Sequence, residues 1–219
     1  MDVPRALLQE MLVRLPPDQA AEMAIPSYLH RNPVMRWMAT RRLDVLADWA
    51  AQYGERDGSV LDFGCGTGIL FPALRPFFGT LYGVDLNLQP AAMLVERLGI
   101  AEVRLLLPDA LESEIADDSL SVVVCGEVLE HIADLPPLLR RLRRKLKPEG
   151  HLLVTAPTEN RLYRLGRSLA GFSGEYHVGH AAAIHQQILE AGFLLRRRKY
   201  IPLPGALAIY WAMDYALRA

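Results

Sequence analysis

Residues 60–68, VLDFGCGTG, decide the fold of this chain. A short apolar run with β-forming residues leads directly into three glycines, and residues 69–74 then have the composition of a helix. Glycine adopts backbone angles that other residues avoid, and it lets a ligand approach the main chain closely. A helix that starts directly afterwards offers free N–H groups to such a ligand. The stretch therefore predicts a strand, a ligand-binding turn and a helix.

The same alternation of strand and helix continues along the chain. The predicted strands cover residues 60–63, 80–84, 103–107, 121–125, 151–156 and 193–201. The predicted helices between them cover residues 69–74, 91–98, 135–146 and 182–191. Repeated βα units fold as parallel strands joined by right-handed crossovers. We therefore expect an α/β fold, a Rossmann-like three-layer sandwich with a mostly parallel central sheet.

The two ends of the chain depart from this pattern. Residues 4–14 and 34–52 carry apolar residues at helical spacing, so extra N-terminal helices are expected before the sheet. We divide the chain into an N-terminal helical segment, 1–54, that would cap the binding site, and a main domain, 55–219. Near the end, Pro202, Pro204 and Gly205 interrupt the β-rich pattern, and residues 206–217 are expected to be helical instead.

Carboxylates follow the second and third predicted strands. Asp85 ends one of them, and Asp109 with Ala110 follows the other. Ligands of open α/β sheets bind outside the carboxyl ends of the strands, so these acids and Asp62 are expected to face one crevice. A carboxylate placed like that of Asp85 accepts hydrogen bonds from ribose hydroxyls. Taken alone, the glycine loop could also be a tight turn that binds no ligand. The carboxylates of Asp85 and Asp109 at the ends of the next two strands argue against this alternative.

These motifs, in this order, resemble those of the class I S-adenosylmethionine-dependent methyltransferases, and in particular the type 11 and ubiquinone-biosynthesis O-methyltransferases. The likeness covers residues from about 58 to about 201, including the turn Lys147-Pro148-Glu149-Gly150. It implies that Asp62 helps to hold the methionine amino group, that Leu86 packs on the adenine and that Asp109 contacts the adenine amino group. The cofactor-binding residues implied in this way are Asp62, Gly64, Cys65, Gly66, Gly68, Asp85, Leu86, Asp109, Ala110 and Cys125. Residues 55–219 would then form an S-adenosylmethionine-binding methyltransferase domain.

Two positions bear on the choice of ligand and on the fold. A dinucleotide-binding loop needs a third glycine where this chain has Ile69, so S-adenosylmethionine is favoured over NAD or FAD. Family members commonly have an acidic residue at the start of the fourth strand, where this chain has Ser121. That position is usually structural, so the substitution bears on the fold and not on the chemistry.

The string Glu127-Val128-Leu129-Glu130-His131 follows the fourth strand, beside the expected position of the methyl group. If it opens a helix, Glu127 and Glu130 share a face with His131 close by. Two carboxylates and an imidazole can hold Mg²⁺ or Mn²⁺, and the string resembles the metal-binding motif of ubiquinone-biosynthesis and small-RNA O-methyltransferases. Two alternatives stay open, namely His131 as a general base without a metal and carboxylates that only stabilise a helix start.

Residues 158–180 are long for a connection and contain two further candidates, His177 and His180. Histidines in a long polar loop next to the site are expected to line the acceptor pocket. The predicted catalytic set is therefore His131, Glu127, His177 and His180.

The class of acceptor is the least determined part of the function. The basic runs 140–145 and 196–199 are interpreted as a solvated helix face and a charged edge strand, because no aromatic residues alternate with the charges as nucleic-acid stacking requires. The apolar run 201–213 has two alternative roles. It either covers the core or, together with Trp37 and Met38, lines an apolar acceptor pocket or touches a membrane surface. We expect O-methylation of a small apolar or amphipathic acceptor. The alternatives are an RNA 2′-O-methyltransferase with a metal site and a non-catalytic S-adenosylmethionine-binding module.

Bulk composition is consistent with this assignment. The chain has 219 residues, a net charge of −1 and two cysteines, and it starts without a long apolar leader. These features are typical of a protein of the reducing cytoplasm, with peripheral membrane contact through the C-terminal apolar run as the alternative.

Overall fold

One seven-stranded sheet forms the centre of the molecule. The computed structural model describes residues 3–17, 23–158, 160 and 179–218. The strands are β1 (Ser59–Phe63), β2 (Thr80–Val84), β3 (Val103–Leu106), β4 (Leu120–Gly126), β5 (Leu146–Pro157), β6 (Phe193–Pro202) and β7 (Ala208–Leu217). Their order across the sheet is β3-β2-β1-β4-β5-β7-β6. The first five are parallel neighbours, whereas β7 pairs antiparallel with both β5 and β6.

Helices cover both faces of the sheet. They are α1 (Arg5–Arg14), α2 (Ile25–Tyr28), α3 (Pro33–Gln52), α4 (Phe71–Leu74), α5 (Gln89–Leu98), α6 (Leu111–Glu114), α7 (Leu135–Lys145) and α8 (Ala181–Glu190). Apolar residues of α1 to α5 join one buried cluster, and those of α6 to α8 join a second cluster on the other face. Strand residues alternate between the clusters, with Val60 in the first and Leu61 in the second. The predicted mostly parallel, three-layer sandwich is therefore confirmed. In the described part of the chain, no helix is both long and apolar enough to span a bilayer.

The N-terminal helices share the core of the sheet. The predicted boundary at residue 54 follows the end of α3, yet Leu43 and Leu46 of that helix lie in the same cluster as Val60 of β1 and Val122 of β4. Asn32 caps α3 by accepting a hydrogen bond from the N–H of Val34 at 2.9 Å. The helix is thus fixed at its start and packed along its length against the sheet.

Residues 208–217 form a strand, and the predicted C-terminal helix was wrong. The helix preference of the alanine, leucine and methionine residues in this stretch is worth only a few tenths of a kcal/mol per residue. Pairing with two neighbours satisfies the backbone of β7 on both sides, and Trp211 and Tyr215 suit a pleated surface. Pro202 pairs with Ala208, so Pro204 and Gly205, which has φ +72°, lie in the hairpin turn that joins β6 to β7.

The serine at the start of β4 forms a hydrogen bond with a carboxylate from another part of the chain. The Ser121 hydroxyl donates to the Glu55 carboxylate at 3.0 Å, and Lys147 approaches the same oxygen at 2.8 Å. Glu55 belongs to the loop before β1. A carboxylate from the loop before β1 therefore lies at the start of β4.

A buried carboxylate ties α3 to the antiparallel half of the sheet. Asp214 of β7 is fully buried and accepts from Tyr53 at 2.7 Å and from the Arg197 guanidinium at 2.8 Å, and its other oxygen lies 2.8 Å from His151 Nδ1. Burial alone raises the pKa of Asp214, but the hydrogen bonds from His151 and Tyr53 and the nearby positive charge lower it overall. The carboxylate is therefore held ionised by partners from β5, β6 and the residue after α3.

Replacing Asp214 by Asn is expected to lower the free energy of unfolding by about 3 kcal/mol, because the donors then surround a neutral amide. Urea unfolding followed by circular dichroism measures the change. Because the folded-state pKa of Asp214 is lowered, the contribution is present above the unfolded-state pKa and is lost as the pH falls through the folded-state value. Asp48→Asn on exposed α3 surface is the matched control and should shift stability by less than about 0.5 kcal/mol. Equal stability of the two variants would contradict the assignment.

Candidate active site

The glycine loop after β1 has a left-handed backbone at three positions. Gly64, Gly66 and Gly68 have φ of +77°, +52° and +72°. A Cβ on Gly64 would lie 2.5 Å from Val128 Cγ2, so the segment after β4 packs directly on this loop. A Cβ on Gly66 would meet only Met23, at 3.9 Å. The loop is therefore closed on one side and open at Gly66, where a ligand can approach the backbone.

Asp85 fixes the loop against the end of β2. Its carboxylate accepts hydrogen bonds from the N–H of Gly66 at 2.7 Å and from the N–H of Asn87 at 3.3 Å. The side chain is half-buried, and the next residue, Leu86, has 85% of its surface exposed. An exposed leucine beside a fixed carboxylate gives the crevice an apolar wall next to a hydrogen-bond acceptor.

Buried ionisable groups line the floor of the crevice. Asp62 of β1 is 2% exposed, and burial, together with the nearby charge of Asp85, raises its pKa to about 8. Burial also raises the pKa of the Cys65 and Cys125 thiols well above their usual range. At neutral pH the two thiols are therefore uncharged. Asp62 is protonated in the absence of a ligand and ionises when a cationic group binds next to it.

The turn after β3 completes the same edge of the sheet. Residues Pro108–Ala110 form a 3-10 turn in which Asp109 is exposed and Ala110 is half-buried. The ends of β1, β2 and β3 therefore present Asp62, Asp85 and Asp109 to one side of the molecule, as the sequence predicts. Their contacts with a bound cofactor remain an expectation.

The segment after β4 is a strained turn and does not open the helix considered from the sequence. Glu127 has φ +61°, and its N–H donates to the carbonyl of Thr155 at 3.2 Å. A short 3-10 turn, Leu129–His131, follows, and a regular helix begins only at Leu135. The carbonyl of Thr155 on the neighbouring strand β5 holds the Glu127 N–H, and the chain turns sharply at this residue.

The predicted catalytic residues separate in space. Glu127 has a side chain only 16% exposed, whereas His131 is exposed and Glu130 is fully buried. His180 caps α8, with its Nδ1 accepting from the N–H of Ala183 at 3.4 Å. His177 lies outside the described residues. Among the described members of this set, Glu127 has its carboxylate next to Arg42 of α3.

Three residues surround Glu127, and the sequence pointed only to Tyr210 among them, as part of the apolar run 201–213. Arg42 of α3 places Nε 3.6 Å from the Glu127 carboxylate and its guanidinium carbon 5.0 Å from the centre of the Tyr210 ring. Tyr28 of α2 accepts a hydrogen bond from Arg42 and lies within electrostatic range of Glu127 and Asp62. Arg42 occupies a position on the apolar stripe of α3, between Met38 and Leu46, and a charge on such a stripe was the available signal.

A metal site does not form from the described donors alone. Within residues 3–17, 23–158, 160 and 179–218, no group of three or more His, Cys, Asp or Glu side chains could hold a metal ion. Arg42 already supplies a positive charge next to Glu127. Ligation of Mg²⁺ or Mn²⁺ by Glu127, Glu130 and His131 stays a prediction.

Comparison with known proteins gives the same assignment from sequence. The model of the family described as "Methyltransferase domain" matches residues 28–214. The ubiquinone biosynthesis O-methyltransferase of Pseudomonas fluorescens (strain SBW25) is 33% identical over 105 residues, which cover 46% of this chain and 45% of that protein. The chain thus spans less than half the length of this curated relative.

Solved structures share the fold. The N-methyltransferase NodS from Bradyrhizobium japonicum, in complex with S-adenosyl-L-homocysteine, matches with a TM-score of 0.70 at 18% identity, over 93% of this chain and 98% of that one. A SAM-dependent methyltransferase from Aquifex aeolicus matches with a TM-score of 0.64 at 16% identity, over 100% of both chains. At such identities these likenesses show the fold alone. Because the family match runs from α2 into β7 and so includes every element that forms the crevice, this chain belongs to the class I S-adenosylmethionine-dependent methyltransferases.

Proposed function

We propose that this S-adenosylmethionine-dependent methyltransferase methylates an oxygen of a small apolar or amphipathic acceptor. The observation that carries the proposal is the position of Glu127, a half-buried carboxylate at the end of β4, directly after which Val128 packs on the glycine loop. An oxygen acceptor must lose a proton during methyl transfer, and Glu127 is the carboxylate that can accept it there. The partial identity to an O-methyltransferase of ubiquinone biosynthesis supports the same atom.

The proposed step balances within this site. The acceptor O–H proton passes to the Glu127 carboxylate, and the oxygen lone pair forms the new O–CH₃ bond. Asp62, Asp85 and the glycine loop would hold S-adenosylmethionine, whose sulfonium would provide an activated methyl group and would take back the electrons of the S–CH₃ bond. The chain then has to align the two reactants and exclude water, and the buried residues around Glu127 serve that purpose. The proton leaves Glu127 for solvent before the next turnover.

Exposed apolar residues near the same edge support an apolar acceptor. Arg42 contacts Tyr210, and Tyr53 contacts Asp214, so α3 and β7 run in the same direction. Both elements therefore start beyond the carboxyl edge of the sheet, next to the crevice. The apolar residues exposed there are Val34, Trp37, Leu203 and Leu207, with 63%, 47%, 54% and 50% of their surface accessible.

An acceptor with an apolar tail would meet these residues on its way to Glu127. The exposed apolar residues also support our proposal that a protein that we expect in the cytoplasm touches a membrane surface at this edge.

The basic side chains of α7 form ion pairs with nearby acids, which argues against an RNA substrate. Arg141 and Arg144 of α7 contact Glu112 at 2.8 and 3.0 Å, and Lys145 contacts Asp117 at 2.7 Å. Charges compensated in this way attract phosphates weakly. A small molecule is therefore the acceptor that the described surface favours.

Binding of S-adenosylhomocysteine at pH 7 is expected to release about one proton from Asp62, because its carboxyl is protonated below a pKa of about 8 and ionises to pair with the ligand ammonium. Affinity should therefore rise as the pH increases towards 8. Calorimetry in two buffers of different ionisation enthalpy measures the released proton. Asp62→Asn should abolish the release and weaken binding by about tenfold or more, whereas Asp48→Asn should bind like the wild type. Unchanged proton release in Asp62→Asn would show that another group titrates.

Glu127→Gln is expected to lower kcat by about 10² to 10⁴, with S-adenosylhomocysteine affinity within about twofold of the wild type, because only the proton transfer is lost. A catechol bearing an alkyl chain is the test acceptor, and methylated product is measured by mass spectrometry. His131→Asn is the matched comparison and should retain most of the rate. A larger loss of kcat in His131→Asn than in Glu127→Gln would identify His131 as the base. If the wild-type protein bound the cofactor but did not methylate this acceptor, the proposed acceptor class would be wrong.

A further inference from the structure

We infer that the apolar edge next to the crevice docks on a bilayer that contains anionic lipids. Four exposed residues form this surface, which we call the apolar rim: Val34 and Trp37 of α3, and Leu203 and Leu207 of the β6–β7 hairpin. The inference deepens the proposed function, because it rests on an acceptor whose apolar tail lies in a membrane. It adds the chemistry of that membrane and the side of the protein that meets it.

The helix and the hairpin extend to the same level beyond the carboxyl edge of the sheet. Arg42 of α3 lies over the ring of Tyr210 in β7, with its guanidinium carbon 5.0 Å from the ring centre. From Arg42 back to Trp37 the helix rises about 7.5 Å, and from Tyr210 back to Leu207 the strand spans about 10 Å. Residues of α3, β6 and β7 also belong to one buried cluster on the same face of the sheet. The exposed side chains of the two elements therefore form one continuous rim.

The rim has the composition of a surface that enters the boundary of a membrane. Of the ten large apolar side chains that are exposed in the described part of the chain, four lie on the rim. The stretch 202–207 of the hairpin contains no charged residue. The indole of Trp37 combines an apolar body with one N–H donor, which suits the depth of the lipid headgroups. Apolar residues grouped in this way indicate a partner rather than ordinary surface exposure.

Basic residues without acidic neighbours in the sequence flank the rim. Residues 30–43 contain four arginines and no Asp or Glu, and residues 194–213 contain three arginines, one lysine and no acid. The chain as a whole is balanced, with 24 basic and 25 acidic residues. Arg31 and Lys199 are exposed, and neither forms an ion pair with another described residue. Long basic side chains beside an apolar surface reach lipid phosphates while that surface is buried.

The carboxylates of the cofactor half lie too far away to neutralise these cations. Asp85 follows β2, and four strand spacings separate β2 from β7 in the sheet. At about 4.8 Å per spacing the separation is about 19 Å, roughly twice the screening length at physiological salt. Glu127, which lies closer, is paired with Arg42. The half of the edge formed by α3, β6 and β7 is therefore apolar and positive, and an anionic bilayer complements both properties.

Flotation with lipid vesicles tests the inference on the full chain, without an acceptor. Vesicles of phosphatidylcholine alone are compared with vesicles that also contain phosphatidylglycerol. The wild type should bind the anionic vesicles about tenfold more tightly at low salt, and the difference should shrink as the salt concentration rises. Binding to neither kind of vesicle, or equal binding to both, would overturn the inference.

Variants of the apolar residues locate the surface that docks. Trp37→Ser and Leu207→Ser should each weaken binding to anionic vesicles by about tenfold, because each removes a side chain that the bilayer would bury. The matched controls are Phe77→Ser and Leu194→Ser, whose side chains are 42% and 38% exposed. Phe77 precedes β2 and Leu194 lies near the start of β6, so both are at the opposite edge of the sheet and should not matter. Equal losses in rim and control variants would contradict docking through the rim.

Variants of the basic residues test the charge of the partner. Arg31→Gln combined with Lys199→Gln should weaken binding to anionic vesicles by about tenfold or more and leave binding to neutral vesicles unchanged. Arg56→Gln combined with Arg140→Gln removes the same net charge at exposed positions elsewhere and should have little effect. If both pairs weaken binding equally, only the net charge of the protein matters and the inference fails.

The outcomes keep this inference separate from the proposed function. Glu127→Gln should bind vesicles like the wild type whatever its rate of methyl transfer, and methylation of a short-chain catechol needs no vesicle. A dimer that Trp37→Ser dissociates, together with no vesicle binding, would assign the rim to a second copy of the chain and overturn the inference. Thermal unfolding identifies any variant that binds less because it does not fold, and the exposed basic pair still provides a test in that case.

Discussion

The hydrogen bond from the Gly66 N–H to the Asp85 carboxylate, at 2.7 Å, is the contact on which the cofactor crevice depends. It joins the end of β2 to a loop in which three glycines have positive φ, a conformation that glycine adopts at less cost than other residues. The loop in turn supports Val128, whose methyl groups occupy the space beside Gly64. The position of Glu127 therefore follows from a backbone turn much earlier in the chain, and cofactor side and acceptor side are parts of one packed unit.

Local patterns in the sequence predicted what lies on the cofactor side. A strand, a glycine turn and an acidic strand end are each set by neighbouring residues, so VLDFGCGTG and Asp85 could be placed from the sequence alone. The acceptor side could not be placed in this way. Tyr28, Arg42 and Tyr210 come from opposite ends of the chain, and only the packing of α3 along β7 brings them to Glu127. Helix preference also misassigned residues 208–217, because pairing with two strands outweighs a small local preference.

The arginines of this chain show how much context decides the role of one residue type. Arg141 and Arg144 lie on an exposed helix face and neutralise nearby acids, Arg197 stacks 4.5 Å from the Trp49 ring while it pairs with the buried Asp214, and Arg42 enters the core beside Glu127. Composition alone cannot separate these cases. The burial of the partner carboxylate does so, because a buried charge loses much more than an exposed one when its partner is removed.

The position of β7 between β5 and β6 has a consequence for synthesis on the ribosome. Residues 208–217 are made after β6, yet β6 has no other described strand to pair with. Until residues 208–217 have been synthesised, the edge of β5 is therefore unpaired, and β6 lacks β7, the strand that joins it to the sheet. An unpaired edge of this kind is where nascent chains associate with one another or with chaperones. The half of the sheet that carries the acceptor side thus assembles late and in one step, after a cofactor half whose strands are already paired.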